Sequence, residues 1–118
     1  MQFLKVSLFA AAASLAAAVA PQAAHAATFD CNVMEVGEWL GSRIHVKCSN
    51  TTVLNGQTIR FIAISSTNAA AQRFTASGNA AAMSGRLLRV DIPTTGATNV
   101  SGCGADNCRT PTFFGLLE

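Results

Sequence analysis

The chain has 118 residues, a formal net charge of +2, 50% hydrophobic residues and only 12% charged ones. A near-neutral balance gives no expectation of a nucleic acid or an anionic membrane surface as partner. The length allows one small domain behind a leader, and no internal repeat is visible.

Met1-Gln2-Phe3-Leu4-Lys5 precedes a run from Val6 to Ala20 made almost entirely of Ala, Leu, Val and Phe. Ala24-His25-Ala26 follows in an A-x-A arrangement. A basic start, an apolar stretch and a small-x-small site read as a secretory signal peptide, residues 1–26, cleaved near Ala26. The run is shorter than the ~20 residues of a spanning helix, so no membrane span is expected. This places the protein in a bacterial periplasm or outside the cell, with residues 27–118 as a single small domain.

Phe29, Cys31 and Val33 alternate with Asp30, Asn32 and Met34; Ile44, Val46 and Cys48 alternate with Arg43, His45 and Lys47. A period of two marks half-buried strands. Gly37-Glu38-Trp39-Leu40-Gly41 between them reads as a hairpin turn. Folding the chain between Trp39 and Leu40 sets Cys31 opposite Cys48 and Val33 opposite Val46. Asn55-Gly56 is a turn signal. Thr58 to Ile64 is β-branched and apolar on both faces, which predicts a central strand.

Ser65-Ser66-Thr67-Asn68 offers N-cap chemistry before an Ala-rich segment, predicting a helix over 68–83 with Gly85 as its stop. Gly78-Asn79 is its weak point. Phe74, Gly78, Ala81 and Ala82 share a face of small residues suited to close packing on a sheet. Arg86 to Ile92 reads as a strand with Leu88, Val90 and Ile92 inward, ended by Pro93. Thr112 to Leu117 is the last strand. Its two apolar faces predict a central position.

All four cysteines, Cys31, Cys48, Cys103 and Cys108, follow the leader, and an even count in an oxidising compartment reads as disulfides. Spacing alone leaves three pairings open. Strand geometry favours Cys31 with Cys48, which leaves Cys103 with Cys108. Four residues separate the latter pair, where a dithiol redox motif has two, and no histidine stands near it for a zinc site. Gly104 and Asp106-Asn107 supply turn chemistry for a closed loop. On a chain-entropy model the short loop stabilises by about 2 kcal/mol and the longer one by about 3.

The predicted order is β-β-β-α-β-β, mainly β with one helix. That is the order of an OB-fold, a five-stranded Greek-key barrel, here with two disulfides. The stretches "CNVMEVGEWLGSRIHVKC" and "CGADNC", around a central helix, resemble the B-subunits of subtilase-cytotoxin-like and pertussis-like AB5 toxins. A broader set of small exported bacterial proteins of unknown role shares the outline. The resemblance implies an OB-fold and carbohydrate binding by a ring of subunits. The sugar-contacting serine motif of those subunits has no match here, so the resemblance assigns no binding residue.

No enzymatic motif is present. His45, the one histidine left after processing, stands between Arg43 and Lys47 on a strand, a pattern typical of a solvated face. Neither a catalytic residue nor a cofactor nor a metal is expected. A binding module is the better reading. The outer face of the second and third strands would carry Arg43, His45, Lys47 and Arg60, with Trp39 in the turn. An aromatic ring beside cations suits sugar stacking or an acidic partner. The partners this leaves are a glycan or a protein, and low charge is compatible with a homo-oligomer. The alternative is a periplasmic structural or protein-interacting domain, an inhibitor or assembly factor, without a small ligand.

Overall fold

A computed structural model describes residues 26–118, so all of the expected signal peptide except Ala26 lies outside the described residues. Strand β1 (Ala26–Cys31) and strand β2 (Val33–Trp39) form one extended run interrupted at Asn32. Strands β3 (Arg43–Leu54) and β4 (Gln57–Ser65) follow, then helix α1 (Ala71–Ser84). Strands β5 (Leu88–Pro93), β6 (Cys108–Arg109) and β7 (Phe113–Leu116) complete the chain.

The strands form two sheets, ordered β1-β5-β7 and β2-β3-β4-β6. Neither closes on itself, so the expected barrel is observed as two open sheets. Every pairing is antiparallel except that of β4 with β6. Phe29, Val33, Ile44, Val46, Ile59, Ile62, Ile64, Leu88, Val90 and Ile92 form the core between the sheets, with Phe74 of the helix. Phe29, Val33, Ile44, Val46, Leu88, Val90 and Ile92 are inward positions that the period-two pattern predicts, whereas Ile59 and Ile62 lie three apart on β4, across a shift in its register with β3.

Both expected disulfides are present: Cys31–Cys48 and Cys103–Cys108. The register proposed for the first is corrected. Cys31 lies opposite Leu88 of β5, and Val33, not Cys31, lies opposite Cys48. A bulge between Val33 and Glu35 then sets Val36 opposite Val46. The bridge therefore joins the two sheets instead of two neighbours in one sheet. The alternation from Phe29 to Met34 hides the cause, because the chain changes sheets at Asn32 without losing its period. Asn50 holds that change. Its side-chain oxygen accepts the Asn32 N–H at 2.8 Å, and its amide donates to the Asp30 carbonyl at 2.8 Å.

Asn55 and Gly56 both adopt positive φ, 52° and 78°, between the paired residues Leu54 and Gln57. Two such residues define a type I′ hairpin, whose twist matches that of the strands. The helix starts three residues later than predicted. The Asn68 side chain accepts the Ala70 N–H at 2.8 Å and forms a turn ahead of the helix. Gly85, at φ 76°, closes the helix with its N–H on the Ala81 carbonyl.

The helix buries Phe74, Gly78 and Ala81, while Ala82 faces solvent. Gly78 does not split it. A Cβ there would stand 3.0 Å from a Val36 methyl and 3.2 Å from a Val46 methyl. The glycine thus sets how closely helix and sheet approach. Gly78→Leu is expected to destabilise the fold by about 2 kcal/mol through overpacking. Gly78→Ala should stay within about 1 kcal/mol of the parent, because better helix propensity offsets the tight contact. Urea unfolding of both variants checks the contrast; equal stability of the leucine variant would contradict it.

The last strand is not central. It pairs only with β5 and forms a sheet edge. Its apolar residues are accounted for differently: Phe114 packs edge-on against Phe74, with ring centroids 5.1 Å apart, and Phe113 is half exposed. On β5 the Arg89 guanidinium pairs with Asp30 directly opposite, and that hydrogen bond holds the Asp30 carboxyl below its ordinary pKa.

Candidate functional site

The register across β2, β3 and β4 decides which side chains share the outer face of the four-stranded sheet. Trp39 lies opposite Arg43, Gly37 opposite His45 and Glu35 opposite Lys47. On the other flank, Ser65, Ala63 and Phe61 lie opposite the same three β3 residues. The Cys103–Cys108 loop folds onto this face. Its two half-cystines form a buried cluster with Ala63, against which Phe61 and Val100 pack. The loop is registered by Asn107, whose carbonyl accepts the N–H groups of both Arg60 and Phe61 at 3.0 Å.

Between this loop and the β2–β3 hairpin lies an open cleft of about 350 Å³. Glu35, Trp39, Arg43, His45, Phe61, Gly102, Asn107 and Cys108 line it. The Arg43 guanidinium carbon lies 5.1 Å from the Trp39 ring centroid. On its other side it abuts Gly102, which adopts φ 86° and where a Cβ would collide with the guanidinium. Trp39 remains 56% exposed, so one large aromatic surface stays available to a ligand.

His45 Nε2 and Glu35 Oε1 are 2.8 Å apart. Gly37 makes this reach possible. A Cβ at 37 would stand 3.0 Å from His45 Nε2, so any larger residue would push the imidazole from its place across β2. The same ring meets Phe61 edge-on at 5.7 Å. The lining thus combines aromatic faces, one carboxylate, one imidazole and one guanidinium. It holds no hydroxyl and no free thiol, since Cys108 is bridged. Among the described residues no three His, Cys, Asp or Glu side chains converge on a metal site. No helix among them is long and apolar enough to cross a membrane.

Of the five residues expected to bind, Trp39, Arg43 and His45 meet in the cleft. Lys47 lies beside it, its Nζ 5.8 Å from the Phe61 ring centroid. Arg60 is not part of the lining and serves the site through its backbone bond to Asn107. Glu35, Phe61, Gly102 and Asn107 were not anticipated. Glu35 requires the bulge in β2 to be known. The other three depend on where the disulfide loop folds, which no local pattern encodes.

The second unanticipated residue type is a buried cation. Arg109 is fully buried, and burial pulls its pKa below the usual arginine value. No carboxylate pairs with it among the described residues. Its nitrogens donate instead to the carbonyls of Pro93, Thr94, Ala105 and Cys108 and to the Gln57 side-chain oxygen. Those five bonds match the five donors of a guanidinium. They tie the disulfide loop to the end of β5 and the start of β4, behind the wall of the cleft.

No protein-family model matches the chain, and no curated protein matches it.

Proposed function

We propose that this chain is an exported, non-catalytic binding module that takes a carbohydrate in the cleft over Phe61. The observation that carries the reading is the half-exposed Trp39 indole set at the rim of a cleft lined by hydrogen-bonding side chains. A sugar ring stacks its C–H face on an indole, while Glu35, His45 and Asn107 offer acceptors and donors to its hydroxyls. A lining with neither nucleophile nor paired carboxylates supports binding over hydrolysis.

The topology supports an OB-type reading. β1 and β2 are one chain segment passing between the sheets at Asn32, and β6 and β7 are joined by three residues, 110–112. Following the pairings through those two links gives a cycle: β2-β3-β4-β6, then β7-β5-β1. On this reading the two open sheets stand for the strand order of an OB barrel, with the first and last strands bending from one sheet to the other. Its usual ligand face, strands two and three, is here the outer face of β3 and β4. On this reading the likeness to toxin B-subunits extends to sugar binding, with a ring of subunits as its further consequence.

The test is Trp39→Ala screened on a glycan array with the wild type as reference. Loss of every glycan signal is expected, a drop of roughly thirtyfold or more for a buried binding anchor. Stability should change by only about 0.5 kcal/mol, the usual scale for an exposed site. A large fall in melting temperature would make the indole a core residue. Unchanged binding would place the ligand elsewhere. The native mass of the exported protein decides the ring.

A second reading has its own observation. Leu40, beside Trp39 at the hairpin tip, is 90% exposed. Two adjacent exposed apolar residues suit a protein partner. Co-purification of one periplasmic protein, lost in Leu40→Ser, would favour that reading.

A further inference from the structure

We infer that the cleft is built for a ligand carrying an oxyanion, with Arg43 as its receptor; the inference rests on the cleft being the binding site. Three features of the cleft lead there. Arg43 is held in place from two sides, by the Trp39 ring at 5.1 Å and by the Gly102 backbone. A side chain at 102 would both collide with the guanidinium and strain a residue at φ 86°. The cation is therefore pre-positioned before any ligand arrives, which removes much of the ordering cost of binding.

Arg43 also lacks an internal counter-charge. The ion pairs among the described residues are His45 with Glu35 and Arg89 with Asp30. Glu35, the only carboxylate in the lining, bonds His45 and leaves Arg43 unmatched. Lys47 adds a second cation beside the cleft, against Phe61. Arg43 and Lys47 thus stand at the cleft with Glu35 as the one carboxylate of its lining, and Glu35 is engaged by His45. A guanidinium fork anchored on an aromatic ring matches a carboxylate, sulfate or phosphate through two parallel hydrogen bonds. The open part of the Trp39 face then takes the ring that bears the group.

Calorimetric titration of the intact exported protein with glucuronate and with glucose tests this, since the two share a ring and differ in the carboxylate. Glucuronate is expected to bind roughly tenfold or more tightly, as a charge-assisted hydrogen-bonded pair implies. Added salt should weaken it by screening. Arg43→Gln should abolish the preference, and Arg43→Lys should restore only part of it, because an ammonium lacks the fork. Gly102→Ala should lower glucuronate affinity with the thermal melt confirming a folded protein. Competition by sulfate, phosphate and acetate identifies which oxyanion the site prefers. Equal affinity for the two sugars, insensitive to Arg43→Gln, would overturn the inference and leave carbohydrate binding standing. Failure of the wild type to bind either sugar or any of the three anions would overturn both.

Discussion

Arg109→Met is expected to destabilise the domain by about 3 kcal/mol or more, the scale of breaking a buried charge network. The side chain is fully buried and supplies five hydrogen bonds. Methionine fills most of the volume but donates nothing, so four carbonyls and the Gln57 oxygen are left without their partner. The Cys108 bond is buried and the other four are part-buried, and each acceptor left without a partner out of reach of water costs on the order of 1 kcal/mol or more. For a domain near 100 residues that is a melting-temperature fall on the order of 10 °C. Arg109→Lys should recover little, since three donors at one point cannot reach acceptors spread over three segments. Chemical unfolding of both variants is the measurement. A loss under about 1 kcal/mol for the methionine variant would show that water satisfies those oxygens and that Arg109 is dispensable.

Most of the strands, the helix and both cysteine pairs can be read from local patterns; β6 and the last three residues of β2, read as loop and turn, cannot. Ile44, Val46 and Cys48 are buried and alternate as a half-buried strand requires, and Asn55-Gly56 forms the turn its chemistry specifies. Register is a different matter. Reflection about the hairpin tip pairs Cys31 with Cys48; the disulfide partner is right, and the register is not. Nothing in Asp30-Cys31-Asn32-Val33 announces a change of sheet, because the information sits in Asn50, on another strand. The last strand shows the same limit. Phe113 and Phe114 look alike in sequence, yet one packs on Phe74 and the other is half exposed. Two apolar faces therefore did not mean a central strand.

The site divides along the same line. Arg43 and His45 stand on one face because they follow the period of β3, and Trp39 joins them as the last residue of β2, opposite Arg43, where the sequence predicts a turn. Arg60 breaks that period. Its N–H and that of Phe61 share the Asn107 carbonyl, so alternation along β4 is interrupted there. Gly102, Asn107 and Cys108 reach the cleft from a loop placed by Arg109 and a disulfide, and long-range hydrogen bonds of that kind leave no periodic trace. No periodicity in the sequence marks Arg109 as a buried cation. Its position directly after Cys108, next to the closed loop, is the one local hint of a structural role.

The two disulfides should separate stability from binding. Cys31→Ala with Cys48→Ala is expected to cost about 3 to 5 kcal/mol, and Cys103→Ala with Cys108→Ala about 2. The first bridge closes the longer loop, with a sequence separation of 17 against 5, and joins two sheets inside the main core. Its sulfurs are fully buried, so their loss also leaves space that the core fills only in part. The second bridge closes a short loop on the outer face, in a small cluster with Ala63. Removing it frees Gly102 and Asn107 from their places in the cleft wall, and Arg43 loses the backbone it rests against. The smaller change in stability should therefore bring the larger change in ligand affinity measured on folded protein. Thermal melts and sugar titrations on the two double variants, run under the same conditions, check both halves of the contrast. If the outer pair proves the more destabilising, the loop is part of the folding core. If its loss leaves sugar affinity intact, the cleft needs no loop, and the ligand is bound by the β2–β3 hairpin alone.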